Sequence, residues 1–108
     1  MDVTKTQAEE QDSFREVERW SSGNIELVIH RFEGLPPYYF IHYTAKQEFT
    51  PAARIILEDA TKNTVKIVFD VEEKVHFQDS PTLRKAIKEM EDFCRACEEA
   101  GVFQILRE

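Results

Sequence analysis

Cys94-Arg95-Ala96-Cys97 is the one stretch of the chain whose spacing matches known cysteine chemistry, that of a redox pair or a zinc half-site. Its setting argues against both. A redox pair gains an acidic thiol from a helix N-terminus, whereas this pair falls in the last two turns of its expected helix, close to Glu98 and Glu99. Zinc would need two further ligands from His30, His42 or His76, none of which has finger or ribbon spacing. The expectation is two core cysteines, no metal and no cofactor.

The remaining chemical groups are dispersed. Ser80, His76 and Asp79 assemble a triad on paper, but their closeness in sequence sets no nucleophile geometry, and Ser80 is well placed as a helix cap. Glycine occurs only at 23, 34 and 101, too far apart to cradle a phosphate. Glu58-Asp59 and Glu72-Glu73 adjoin turns, and neighbours on a strand point to opposite faces, so neither pair forms an acid–base unit. No catalytic residues are expected, and the chain reads as a non-enzyme.

A different bias stands out between Phe32 and Tyr43. This segment holds five of the 12 aromatic residues, including all three tyrosines. Strand alternation sends Tyr38 and Phe40 one way and Tyr39, Ile41 and Tyr43 the other, so one set reaches whichever sheet face a helix leaves bare. Val28 and Phe32 join one of those faces. An exposed aromatic surface marks a partner site, because monomers seldom leave a large contiguous apolar patch in water. Arg31, Lys46, Arg54 and Lys66 flank the rings. Aromatic rings beside cations are also what single-stranded nucleic acid binds. Residues 31–74, however, carry six Lys and Arg against seven Asp and Glu, which supplies no electrostatic funnel. The expected partner-binding residues are Phe32, Tyr38, Tyr39, Tyr43, Arg31 and Arg54.

The elements that would position these residues form an α+β fold of 108 residues with a single core. Residues 1–13 read as a disordered acidic tail and residues 14–108 as one domain. Phe14 to Trp20 suits a strand leading into the Ser21-Ser22-Gly23-Asn24 hairpin turn. Ile25–Phe32 alternates, with Ile25, Leu27 and Ile29 on one face. Gly34-Leu35-Pro36-Pro37 breaks it, and Tyr38 to Thr44, Ala53 to Glu58 and Thr64 to Val71 resume as strands, with Val75 and Phe77 either extending the last or starting a short one. Short turns make this a four- to five-stranded antiparallel meander.

Ser80-Pro81 opens a helix of about 20 residues, and Leu83, Ala86, Ile87, Met90, Phe93, Cys94 and Cys97 draw its apolar stripe. Gly101 ends it, with Val102 set to touch Cys97. The helix lies across one sheet face. Residues 102–106 are apolar enough to be a last strand or to bury in a partner.

The formal charge of −7 is spread along the chain. It disfavours nucleic acid and anionic membrane as partners. No membrane-length apolar run and no secretory leader is evident, which places the protein in the cytoplasm. The sequence therefore points to a small interaction or regulatory module that binds a protein or a second copy of itself. A single-stranded nucleic-acid-binding domain is the alternative, and an acidic nucleic-acid mimic a further one.

Overall fold

A computed structural model of the chain describes residues 2–12, 15–45, 52–70 and 81–107. Strands β1 (Thr4–Asp12), β2 (Arg15–Ser22), β3 (Ile25–Phe32) and β4 (Tyr38–Tyr43) form an antiparallel sheet in sequence order. Strands β5 (Ala52–Asp59), β6 (Thr64–Asp70) and β7 (Gln104–Ile105) form a second. Helix α1 (Pro81–Glu99) stands between β6 and β7 in the chain. β4 runs beside β5, so the two sheets follow one another around the helix.

The expected α+β meander with one C-terminal helix is the architecture found, extended at both ends. Residues read as an acidic tail form β1, the outer strand of the first sheet. Few apolar side chains mark that segment; its ladder to β2, from Thr4↔Ser21 to Asp12↔Arg15, is a backbone interaction that side-chain polarity does not reveal. Residues 104–105 do make a last strand, but β7 joins β6 in parallel, through Thr64↔Gln104 and Val65↔Ile105. A parallel partner needs a long crossover, and α1 supplies it. Val71, Val75, Phe77 and the Ser80 cap lie outside the described residues.

The turns follow from local chemistry. Gly23 takes φ +57° in the two-residue loop of the β2–β3 hairpin, whose register closes on Ser22↔Ile25. Both the amide and the hydroxyl of Thr44 donate to the Asn24 carbonyl, at 2.7 and 2.9 Å, and fasten that turn to the end of β4. Between β5 and β6, Asp59 Oδ1 accepts from the Thr61 amide and hydroxyl, and Asn63 takes the left-handed φ of 52°.

The core forms where the alternating faces meet the helix stripe. Ile25, Leu27 and Ile29 from β3, Tyr39 from β4 and Val65 from β6 close on Met90, Phe93 and Cys97 of α1, and Val102 and Phe103 seal the end. Trp20, Ile41, Tyr43, Ile55, Leu57, Ile67 and Phe69 pack around this centre. Leu83, Ala86 and Cys94 of the expected stripe are also buried, while Ile87 sits half-buried at its margin. Full burial of a side chain the size of Phe93 contributes roughly 1.5–3 kcal/mol.

The helix ends on a Schellman motif. The Val102 amide donates to the Cys97 carbonyl and the Gly101 amide to the Glu98 carbonyl, each at 3.0 Å, with Gly101 at φ +81°. A Cβ at Gly101 would meet no atom within 4 Å, so a substitution there tests backbone conformation alone. Gly101→Ala is expected to lower stability by about 1 kcal/mol, read as a lower urea midpoint with an unchanged slope. Gly101→Asn should cost less, since asparagine tolerates the left-handed region.

Candidate functional site

Register decides which aromatic rings reach solvent. On β3 and β4, Leu27↔Ile41 and Ile29↔Tyr39 form one set of cross-strand pairs, and Val28↔Phe40 and His30↔Tyr38 the other. Opposed residues share a face, so the helix that buries Ile25, Leu27 and Ile29 also covers Tyr39, Ile41 and Tyr43. Tyr38, Phe40 and His42 are left on the opposite side.

That side is an exposed aromatic surface centred on β4. Tyr38 and Phe40 are 57% and 52% exposed, and Leu35, in the turn leading into β4, is 59% exposed. The rings are braced from β3. His30 meets Phe40 edge to face at 5.5 Å between centroids, and Phe32 meets Tyr38 in the same manner at 5.9 Å. Such pairs add about 0.5–1.5 kcal/mol beyond their buried area and hold the rings in fixed orientations. On β5, Ala53, Ile55 and Leu57 turn to the core, which leaves Arg54, Ile56 and Glu58 on the outer side. Ile56 is 41% exposed and its ladder partner Lys66 is exposed as well. Towards β2 the surface closes: Val17 and Val28 are buried, and Arg19 holds Glu26 in a 3.0 Å ion pair.

The six expected partner-binding residues separate across the sheet. Phe32 and Tyr38 stand together on the open face, and Arg54 is exposed on β5. Tyr39 and Tyr43 do not belong with them. Tyr39 is buried with its ring against Phe103 at 5.8 Å, and its hydroxyl donates to Asn63 Oδ1. Burial raises its pKa. The Tyr43 hydroxyl donates to Glu89 Oε2 of α1 at 2.5 Å, and this bond pushes the phenol pKa up to about 12. Arg31 continues the alternation of Ile25, Leu27 and Ile29, and its Nε meets Glu18 Oε1 at 3.3 Å. Both tyrosine rings are therefore on the covered side, Tyr43 bonded to α1 and Tyr39 to the turn between β5 and β6.

Phe40, His30, Leu35 and Ile56 were absent from the expected set. Phe40 could have been found from the β3 pattern: Ile25, Leu27 and Ile29 make a purer apolar row than Glu26, Val28 and His30, which assigns the helix to the first row. The sequence does not state how β4 registers against it, and that register places Phe40 outside.

The cysteines sit in the core as expected. Cys94 and Cys97 are free thiols, and burial raises both pKa values to about 12, with Glu91 adding to the effect at Cys94 and Cys94 adding to it at Cys97. Among the described residues no three His, Cys, Asp or Glu side chains converge on a metal-sized site. His30 and His42 lie on the outer face, and His76 and Lys46 lie outside the described residues. Along α1, Asp92 takes both Lys88 and Arg95 at 3.1 Å, while Glu89 accepts from Tyr43 of β4. No described helix is long and apolar enough to cross a membrane.

Comparison with family models, with curated proteins and with solved structures yields no match to this chain.

Two titrations follow from this geometry. Folding favours the protonated Tyr43 phenol, so its contribution is complete below the ordinary value of 10.0 and is lost as pH rises toward about 12. Ultraviolet titration of the wild type should show the Tyr43 step delayed toward about 12 and moved to lower pH in Glu89→Gln, while Tyr43→Phe should remove that part of the late absorbance and leave the raised Tyr39 step. For the cysteines, a thiol-specific disulfide reagent at pH 8 should leave the native protein unlabelled and modify two thiols per chain once urea unfolds it. Rapid labelling of the native state would contradict the burial of Cys94 and Cys97.

Proposed function

We propose that this chain is a non-catalytic interaction module, working in the cytoplasm, whose sheet face opposite α1 binds another protein. The observation that carries the reading is the convergence of Tyr38, Phe40 and Ile56, each more than two-fifths exposed, on the side the helix leaves bare. Aromatic side chains supply much of the energy of protein contacts because they bury large rigid surfaces at small entropic cost. The edge-to-face contacts from His30 and Phe32 favour such a role, since rings already held in place lose little freedom on binding.

Single-stranded nucleic acid is the competing reading, supported by Arg54 and Lys66 beside the rings. Charge weighs against it. Glu26 and Glu58 share the face with those cations, and the chain carries a formal charge of −7. A strand of phosphates would meet nearly as many carboxylates as cations.

Photo-crosslinking distinguishes the two. With benzoylphenylalanine in place of Phe40, crosslinked species formed in the producing cell should contain protein. The same probe in place of Arg84, on the exposed side of α1, should give none. Crosslinks to nucleic acid from position 40 would transfer the assignment to the alternative, and the absence of any crosslink from that position would retire the proposal.

A further inference from the structure

The outward row of β5 reads Arg54, Ile56, Glu58: a cation, an apolar residue and an anion at successive exposed positions. The burial alternation from Ala53 through Asp59 is unbroken, so Glu58 stays outward even though it stands within the bulge between Leu57 and Asp59. At about 3.3 Å per residue, the two charged positions stand roughly 13 Å apart with Ile56 midway. A row of this kind is complementary to its own reverse.

We infer that the occupant of this face is a second copy of the chain, stacked sheet to sheet about a two-fold axis that crosses the strands at Ile56. This inference rests on the proposal that the face is a protein-binding surface. Such an axis reverses strand direction between the copies. Ile56 then opposes Ile56, Arg54 opposes Glu58 of the other copy, and symmetry forms the second pair at no further geometric cost. An axis along the strands would set like charge over like. Lys66, the ladder partner of Ile56, lies on the same line as its own symmetry mate. Its flexible stem lets it swing away from that mate and toward the second copy's Glu58, one strand over.

The size of the surface agrees with this occupant. Leu35, Tyr38, Phe40 and Ile56, each 41–59% exposed, together present roughly 400 Å² of apolar area, taking side chains of this class at about 150–250 Å² each. A stable interface buries about 800 Å² per partner, of which a little over half is apolar. The patch therefore approaches the apolar share of one ordinary dimer interface, and Arg54, Glu58 and Lys66 contribute to the polar remainder.

Charge reversal with mixing tests the arrangement by sedimentation velocity on the full chain. The wild type should dimerise, and Arg54→Glu or Glu58→Arg alone should weaken the dimer by about tenfold or more, because each change converts two attractions into two repulsions. An equimolar mixture of the two variants should recover a heterodimer of near wild-type affinity, since every crossed pair is again opposite in sign. Recovery on mixing also shows that neither variant is misfolded.

A wild type that stays monomeric to about millimolar concentration overturns the second-copy inference, and crosslinking from position 40 then decides the binding proposal by itself. A dimer abolished by Phe40→Ser but indifferent to both reversals overturns the two-fold arrangement while sparing the face. A dimer that survives Phe40→Ser and both reversals overturns the inference and counts against the face as well.

Discussion

Asn63 connects parts of this molecule that are far apart in sequence. It sits in the turn between β5 and β6, and its left-handed backbone aims the side chain back into the protein. Its Oδ1 accepts the Tyr39 hydroxyl from β4, its Nδ2 donates to the Val102 carbonyl at 2.6 Å, and its own carbonyl receives the Gln104 amide at 3.0 Å. The first sheet, the second sheet and the segment after the helix are thereby tied at one residue. Among the described residues the first sheet otherwise meets the segment after the helix through apolar contacts, which set how much surface is buried more strictly than they set position. A partly buried amide with donor and acceptor both engaged adds the missing specificity, because a shift in any partner strands a polar atom.

This node explains why the open face is where it is. Tyr39 can reach Asn63 only with its ring on the helix side, and the alternation of β4 then commits Tyr38 and Phe40 to the other side. Tyr43, bonded to Glu89 of α1, makes the same commitment at the far end of the strand. Two of the three tyrosines thus serve as fasteners, and the third is free to act as a surface. The exposed patch follows from the same alternation that builds the core.

Much of the architecture was legible because it rests on local patterns. Gly23-Asn24, the alternation of Ile25–Phe32 and the stripe from Leu83 to Cys97 each contain their own periodicity and punctuation, and the Gly101 ending could be read to the residue. The elements that escaped depend on partners distant in sequence. β1 is held by backbone pairing that polar side chains conceal, and β7 is two residues long and exists only because β6 is beside it. The candidate site was half legible for the same reason. Alternation sorted the aromatic residues into two correct sets, but assigning a set to solvent required the β3–β4 register. Tyr39 and Tyr43 were misplaced because nothing in the sequence links them to Asn63 and Glu89.

The C-terminal segment is secured with unusual care for so short a strand. Glu98 accepts the Ile105 amide at 2.7 Å and both Arg107 guanidinium nitrogens, at 2.7 and 2.9 Å. Those bonds, led by Arg107, lower the Glu98 pKa. The parallel β6–β7 pairing has a kinetic meaning. Hairpins of the meander join strands across short turns, whereas β7 reaches β6 only across the whole of α1. Among the described strand pairings the last ladder is therefore the one with the longest loop to close, whether the chain folds from a denatured state or emerges from the ribosome. Until that ladder forms, Val65 lacks its strand neighbour Ile105, and apolar surface left uncovered in this way is where a chain of this topology is open to misassembly.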